Sequence, residues 1–447
     1  MRLLDPLFTT APMRAVFSDR GRLQGLLDFE AALARAEARV GVVPAAAVAA
    51  IGAQCRADAF DFGELAHGAA LAGNTAIPMV KALTALVAAR DEAAARYVHW
   101  GATSQDAMDT GLVLQLRAAL DLFDADLARL AEVLARLAGE HKRTVLAGRT
   151  WLQQATPVTF GLKAAGALSA VERHRARLRE LRPRVLVLQF GGASGTLAAL
   201  GADGLKVAAA LAEDLQLGLP DVPWHAQRDR VAEVATALGL VVGTLGKVAR
   251  DLALLMQTEV GEAFEPAAPG KGGSSTMPHK RNPVACAAIL AAAIRVPGLV
   301  STMLAAMVQE HERGLGDWHA EWDTLPEICL LAGGALARLV EVLAGLELDP
   351  ARMTGNLEAT RGLVLAEAVT MALGGAIGRL PAHHLVEAAC RRAVAEDRHL
   401  REVLGADAEV RKHLSEADLA RLLDPANYVG LAETLVERAL AARTGAT

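Results

Sequence analysis

Aromatic residues make up only 4% of this 447-residue chain, and cysteine occurs just four times. Cys55, Cys286, Cys329 and Cys390 stand far apart and form no C-x-x-C pair. That spacing argues against a disulfide framework or a zinc site, and reads them as small buried hydrophobes in a reducing compartment. Charge of one sign is missing as well. The net charge is −5 with both signs mixed along the chain, and no basic stripe supports nucleic-acid binding. No apolar run reaches about 18 residues without a charge, so no membrane span is expected. The N-terminus, Met1-Arg2-Leu3-Leu4-Asp5-Pro6, lacks the apolar core of a signal peptide. These absences together predict a soluble, cytoplasmic protein.

What is abundant is alanine and leucine, which carry the hydrophobic share to 53% and have the best intrinsic helix propensities. The fold class expected is all-α, and the length calls for two or three subdomains. Two seams set the pattern. One runs Val113, Leu116, Leu120, Phe123, Leu127, Leu130, Leu134, Leu137; the other runs Val231, Val234, Leu238, Val241, Leu245, Val248, Leu252, Leu255. Steps of three and four keep one stripe on one side of a helix, so both segments are predicted to be long helices packed along their length. Gly239, Gly243 and Gly246 inside the second cost helix stability, which suggests close approach of a neighbouring backbone. Leu112, Leu114, Leu122, Leu240 and Val242 widen the stripes beyond what two-helix packing needs, as expected if other subunits cover the outer faces. Turn signals suggest three mostly helical domains: residues 1–110, a central long-helix bundle at 111–347, and 348–447.

Three segments carry residues suited to chemistry. In the first, His99-Trp100-Gly101-Ala102-Thr103-Ser104-Gln105-Asp106, Thr103 and Asp106 have capping-box spacing, and the free N–H groups of a helix start attract carboxylates. An ordinary N-cap explains the same residues. The second, Gly148 to Pro157, offers Arg149, Thr150, Gln153 and Gln154 ahead of what reads as a proline-started helix. The third is the loop Gly272-Gly273-Ser274-Ser275-Thr276-Met277-Pro278-His279-Lys280-Arg281-Asn282-Pro283, whose hydroxyls, cations and amide suit closure over a polyanion. It is not a P-loop, since glycine follows Lys271. His311-Glu312-Arg313 does not extend to H-E-x-x-H and His383-His384 stands alone, so no metal site is expected.

Taken together, the segments resemble the fumarase/aspartase superfamily, whose signature G-S-x-x-M-P-x-K-x-N-P is filled by Gly273 to Pro283. The resemblance implies three mostly helical domains assembled as a homotetramer around a helical core. Each active site would draw its segments from three subunits. It implies Ser274 as the proton carrier and Lys280 as a second catalytic group. Substrate contacts would come from His99, Thr103, Ser104, Thr150, Trp151, Gln153, Ser275, Arg281, Asn282, Arg313 and His319.

Departures choose among the branches. Amine-releasing members carry a histidine where this chain has Trp151, and general acid help there is worth roughly 10²–10⁴-fold. A carboxylate leaves without protonation, its conjugate acid having a pKa of about 4. Adenylosuccinate lyases also carry an arginine for the nucleotide phosphate where this chain has Trp322. The blocks around Trp151, Val185 to Phe190 and Trp318-His319-Ala320-Glu321-Trp322 are similar to the muconate cycloisomerase branch. That branch lactonises a tricarboxylate in the protocatechuate route of aromatic catabolism, without a cofactor. An amine-eliminating lyase or a silent structural homologue are the alternatives.

Overall fold

The computed structural model describes residues 2–444 apart from 269, 271, 274, 275 and 278. The chain is mostly helical, and the all-α expectation holds. The longest helices among the described residues are α1 (Asp19–Val40), α2 (Ser104–Glu140), α3 (Phe160–Val185), α4 (Asp229–Leu255), α5 (Val284–Ala305) and α6 (Asp317–Ala344). Strands are confined to a hairpin of β1 (Val145–Thr150) with β2 (Gln153–Thr159), and a two-residue pairing of β3 (Ala263–Phe264) with β4 (Glu347–Leu348).

Both predicted seams fall on long helices. Every residue of the first is buried on α2, and on α4 only Val248 of the second is half-buried. At two of the three glycines expected to admit a neighbouring backbone, a side chain comes close instead, and no backbone of another element lies within 4 Å of a Cβ at any of the three among the described residues. A Cβ at Gly246 would lie 2.7 Å from the Ala293 side chain of α5, and one at Gly239 would lie 3.1 Å from Val300, whereas Gly243 meets nothing within the chain. Of the stripe-widening residues, Val242 is buried and Leu240 is exposed. Helices α4 and α5 are long and apolar enough, by length and composition, to cross a membrane. The uninterrupted-run criterion passed them over because charges such as Lys247 and Arg295 break their runs. More than half of the apolar stretch of α4 is buried within the chain, but only a third of that of α5.

Contacts gather the chain into two compact units. One comprises Met1–Leu127, His174–Gly246 and Ala288–Ala337. Within it α1 crosses the first turns of α2 where glycines face each other: a Cβ on Gly25 would sit 2.9 Å from the Gly111 carbonyl oxygen. This contact sets the buried face of α1 beside the start of α2. That face carries Leu23, Leu26, Phe29 and Leu33, and with them Glu30 and Glu37. Cys55 and Cys329 of this unit are buried, whereas Cys390, elsewhere in the chain, is only half-buried, so the reading of all four as buried holds for part of the set.

The other unit comprises Ala128–Arg173, Lys247–Ala287 and Arg338–Thr447. Its hairpin packs on a small core of Leu146, Phe160, Leu255, Ala263 and Met353. A separate helical cluster around Val369, Leu373, Val386, Val403 and Leu404 fills its C-terminal part. One expectation fails here. Pro157 does not start a helix; it lies in β2, paired with Ala147, and the helix begins at Phe160. In a two-stranded ribbon every strand has an open edge, so a residue without an N–H is tolerated there.

Candidate active site

In the first unit, Asp106 organises the start of α2. Its carboxylate accepts from the Thr103 N–H at 3.0 Å, which is one half of the expected capping box. It also accepts from the Gly191 N–H at 3.0 Å and the Gly192 N–H at 2.9 Å, and it pairs with His225 Nε2 at 2.7 Å. The glycine turn at 191–195 is thereby tied to the helix start. Arg313, expected as a substrate contact, donates to Gln105 Oε1 at 3.0 Å, to Thr103 Oγ1 at 3.4 Å and to the Ala193 carbonyl at 3.2 Å. The structure thus brings Thr103, Ser104 and Arg313 together around one helix N-terminus, where backbone N–H groups and the helix dipole favour anions.

One turn further along α2 lies a fully buried ionic cluster. Arg228, 1% exposed, donates to both oxygens of Asp109 at 2.7 and 3.0 Å and to Glu321 at 2.6 Å. Burial opposes its charge, but the two carboxylates more than offset that and raise its pKa. Trp318 Nε1–H donates to Asp109 at 3.2 Å, and Gln309 donates to Glu321 at 3.2 Å. Such a cluster fixes α2, the 224–228 turn and α6 in one register, because each charge is intolerable without its partners.

His99 sits just before this helix start in left-handed backbone, with φ of +58°. Its Nδ1 lies 2.6 Å from Glu30 Oε1 on α1, an acid 1% exposed. Burial pulls the imidazolium pKa down, but the charge and hydrogen bond of Glu30, helped by Asp106, leave it raised overall. Both oxygens of Glu37 and the second oxygen of Glu30 have no hydrogen-bond partner among the described residues. Burial, reinforced by the charge on Glu30, pushes Glu37 up to about 9.

His319 stands apart from the helix start. Its Nε2 meets the Gly73 carbonyl at 3.2 Å, and its ring stacks on Trp322 with centroids 4.3 Å apart. Arg22 lines a small cavity of about 30 Å³ beside Trp322. One of its terminal nitrogens, Nη2, donates to the Trp322 carbonyl at 2.6 Å and to Asp323 at 3.2 Å.

In the second unit, the hairpin presents Thr150, Trp151 and Gln153 at its tip, all exposed. The two tip residues, Trp151 (φ +53°) and Leu152 (φ +64°), both adopt left-handed backbone, and Trp151 is 98% exposed. Two-residue hairpin turns of this kind normally use Asn-Gly. Bulky residues held there at a cost of order 1–3 kcal/mol each mark a tip shaped for use rather than for stability. Below the tip, Arg149 grips Glu262 through two bonds of 2.8 and 2.6 Å, and Asn356 donates to the same carboxylate at 2.7 Å.

The glycine-rich loop is closed on itself: the Asn282 backbone N–H and side chain both donate to the Gly272 carbonyl, at 2.9 and 3.1 Å. Arg281 donates to Glu347 at 3.0 Å and to the Glu265 carbonyl at 2.7 Å, while lying over the Phe264 ring. Lys280 is exposed. The Glu265 carboxylate accepts from the Ala285 and Cys286 N–H groups and so caps α5. Ser274 and Ser275 lie outside the described residues.

Motif reading missed Glu30, Glu37, Asp109, His225 and Glu321. A signal was present for the first two: Leu23, Leu26, Glu30, Leu33 and Glu37 continue the three-and-four rhythm of a buried stripe. Acids at such positions announce a partner or a raised pKa.

Compared with known proteins, residues 8–298 match the family described as Lyase, and residues 362–439 match the family described as adenylosuccinate lyase C-terminus. A 3-carboxy-cis,cis-muconate cycloisomerase of Pseudomonas aeruginosa is 67% identical, over 98% of this chain and 96% of the relative. One from Pseudomonas putida is 62% identical, over 94% of this chain and 99% of the relative. The solved structure of the 3-carboxy-cis,cis-muconate lactonizing enzyme from Pseudomonas putida covers 100% of this chain and 99% of its own, at 60% identity and a TM-score of 0.96.

Proposed function

This chain belongs to the lyase family matched over residues 8–298, a branch of the fumarase/aspartase superfamily, and on that premise we propose that it is a 3-carboxy-cis,cis-muconate cycloisomerase. The observation that carries this reading is the extent of the likeness, 67% identity over nearly the whole of both chains. The residues agree with it. Trp151 at the hairpin tip offers no proton to a departing amine, and Trp322 stands where a phosphate-binding arginine would.

In the proposed reaction a terminal carboxylate of the substrate adds to the carbon bearing the 3-carboxyl group. The new C–O bond closes a five-membered lactone. The displaced π electrons move to the neighbouring carbon and its carboxylate as an enediolate-like species, which then takes one proton on carbon. Nucleophile and electrophile share one molecule, so the site acts chiefly by fixing the reacting conformer. Donors placed where charge develops supply the rest. Thr103, Ser104 and Arg313 at the start of α2 bind one carboxylate, with Thr150 and Gln153 from a hairpin tip. Lys280 and Asn282 stabilise the enediolate, Ser274 delivers the proton, and Ser275 and Arg281 complete the loop. No metal or cofactor enters this scheme.

We further propose a homotetramer with composite sites, working in the cytoplasm. Its support is the set of apolar residues left uncovered on and after α4 and α5: Leu240, Ile294, Leu304 and Val308. The adenylosuccinate lyase description of residues 362–439 favours an amine-eliminating lyase as the second reading.

Incubation with 3-carboxy-cis,cis-muconate is expected to bleach the diene absorbance and yield 4-carboxymuconolactone. Persistent absorbance, or release of fumarate from adenylosuccinate, would overturn the assignment. A protein inert to both substrates would fit a silent homologue.

A further inference from the structure

The residue that faces His99 from α1 has a role beyond packing. We propose that Glu30 is a positioning residue. Its carboxylate pins the His99 ring through Nδ1 and holds it as a cation, so that the Nε2–H is presented to a carboxylate of the substrate. This rests on the reading of His99 as a substrate contact.

Four observations converge on it. The Glu30–His99 contact is short, at 2.6 Å, and Glu30 is 1% exposed against 15% for the His99 side chain. The acid is therefore sealed inside while one edge of the ring reaches the surface. His99 Nε2 has no hydrogen-bond partner among the described residues, so the ring is anchored at one nitrogen and free at the other. A histidine held at Nδ1 by a carboxylate has its tautomer and orientation fixed, and its outward nitrogen becomes the donor. Finally, the backbone at His99 is left-handed, with φ of +58°, and Gly101 two residues on has φ of +70°. A β-carbon residue persists in that region only where its surroundings hold it there.

The charges around the pair leave the imidazole as the natural counter-ion. From α1, Glu30 is flanked by Asp28 and Glu37, and from the end of the helix Ala45–Gln54 by the Cys55 thiol. Glu37 is pushed up to about 9 and Cys55 up to about 12, so both stay neutral at physiological pH. Arg35 acts on Cys55 but spends its guanidinium on Asp214 at 2.9 Å. From α2, Asp106 adds a favourable field at His99, yet its oxygens are occupied by His225, Thr103, Gly191 and Gly192. Arg313 is held by Gln105, Thr103 and Ala193. That leaves Glu30, among the described residues, as the one acid in hydrogen-bond contact with His99, and for a tricarboxylate a fixed cation at this point adds attraction and orientation together.

The test compares kcat/KM against pH for the wild type, Glu30→Gln, Glu37→Gln and His99→Gln, each checked for oligomeric state. Glu30→Gln keeps the shape and removes the charge. It is expected to lower kcat/KM at pH 8 at least tenfold, and to move the alkaline limb at least one pH unit toward acid. Glu37→Gln should stay within about twofold with its limb unmoved, and in His99→Gln the limb should vanish. A Glu30→Gln enzyme that loses activity with its limb in place shows a merely structural role and overturns the proposal. A limb moved equally by Glu37→Gln overturns it too. A second readout needs no turnover: diethylpyrocarbonate carbethoxylates only the neutral imidazole, and peptide mapping follows His99 by itself. Glu30→Gln should shift the midpoint of His99 modification to lower pH, whether or not the muconate is the substrate. An unchanged midpoint refutes the pairing. A shifted midpoint in a protein inert to the muconate refutes the substrate and leaves the pairing standing. If Glu30→Gln fails to assemble, Glu30→Asp carries the same two measurements.

Discussion

Glu37→Gln offers the sharpest physical test of the buried face of α1. Glu37 is fully buried, both of its oxygens lack a partner among the described residues, and burial, with the Glu30 charge, pushes it from an ordinary 4.5 up to about 9. Between those values the folded chain keeps a proton that the unfolded chain has released. The unfolded state therefore binds fewer protons, and stability falls as pH rises, by about 1.4 kcal/mol per pH unit for one such group. From pH 6 to pH 8 the loss is roughly 2.7 kcal/mol. At about 2.1 cal/mol/K of unfolding entropy per residue, a chain of 447 residues converts this into about 3 °C of Tm. His99 contributes in the same direction: its pKa is raised in the fold, so its stabilisation is complete at low pH and lost as pH rises past its folded value. The slope of the wild type alone therefore assigns nothing. The diagnostic quantity is the double difference, in which His99 cancels: Tm at pH 6 minus Tm at pH 8, wild type minus Glu37→Gln, by scanning calorimetry. The expected value is about 3 °C. Parallel pH slopes would refute the reasoning, because they would mean that Glu37 is ionised or wet in the folded protein.

Other consequences follow from single residues. Arg228→Met leaves Asp109 and Glu321 buried without a cation and should cost about 3–5 kcal/mol, read as a Tm drop of several degrees or as loss of soluble protein; an unchanged Tm would mean that water reaches the cluster. Trp151→Gly relieves left-handed strain at an exposed tip and should leave Tm unchanged or about 1 °C higher, while turnover of the muconate falls at least tenfold. Gly246→Leu forces a side chain into Ala293 and should destabilise by about 1–3 kcal/mol, visible in the guanidinium midpoint, whereas Gly243→Ala should be neutral within the subunit. Ser274→Ala should keep the assembly in gel filtration and lose at least a hundredfold in kcat.

How much of this was legible in the sequence differs between scaffold and site, for a physical reason. Helices announce themselves through local periodicity, and the stripes on α2 and α4 were readable because their apolar residues recur every three or four positions along one face. Pro157 was misread because a proline beside a helix obeys the same local rules whether it starts that helix or ends a strand; the pairing of β2 with β1 decided it. The loop was readable as a string, since its chemistry is packed into consecutive residues. The ion clusters were not. Arg228 meets partners 119 and 93 positions away in the chain, and His99 meets Glu30 across 69. No local pattern links such pairs.

What the sequence did carry for them is a conflict. Glu30 and Glu37 occupy positions that the rhythm of α1 reserves for apolar side chains, and Asp106 and Asp109 do the same at the start of α2. A charged residue inside a buried stripe weakens the fold unless something distant answers it. Each of the four resolves differently. Asp106 takes backbone N–H groups and a histidine, Asp109 takes an arginine, Glu30 takes His99, and Glu37 keeps its proton. Only the Glu30 solution ends on a partly exposed side chain, His99, whose second ring nitrogen has no partner among the described residues. That asymmetry, rather than any motif, separates a positioning acid from three structural ones.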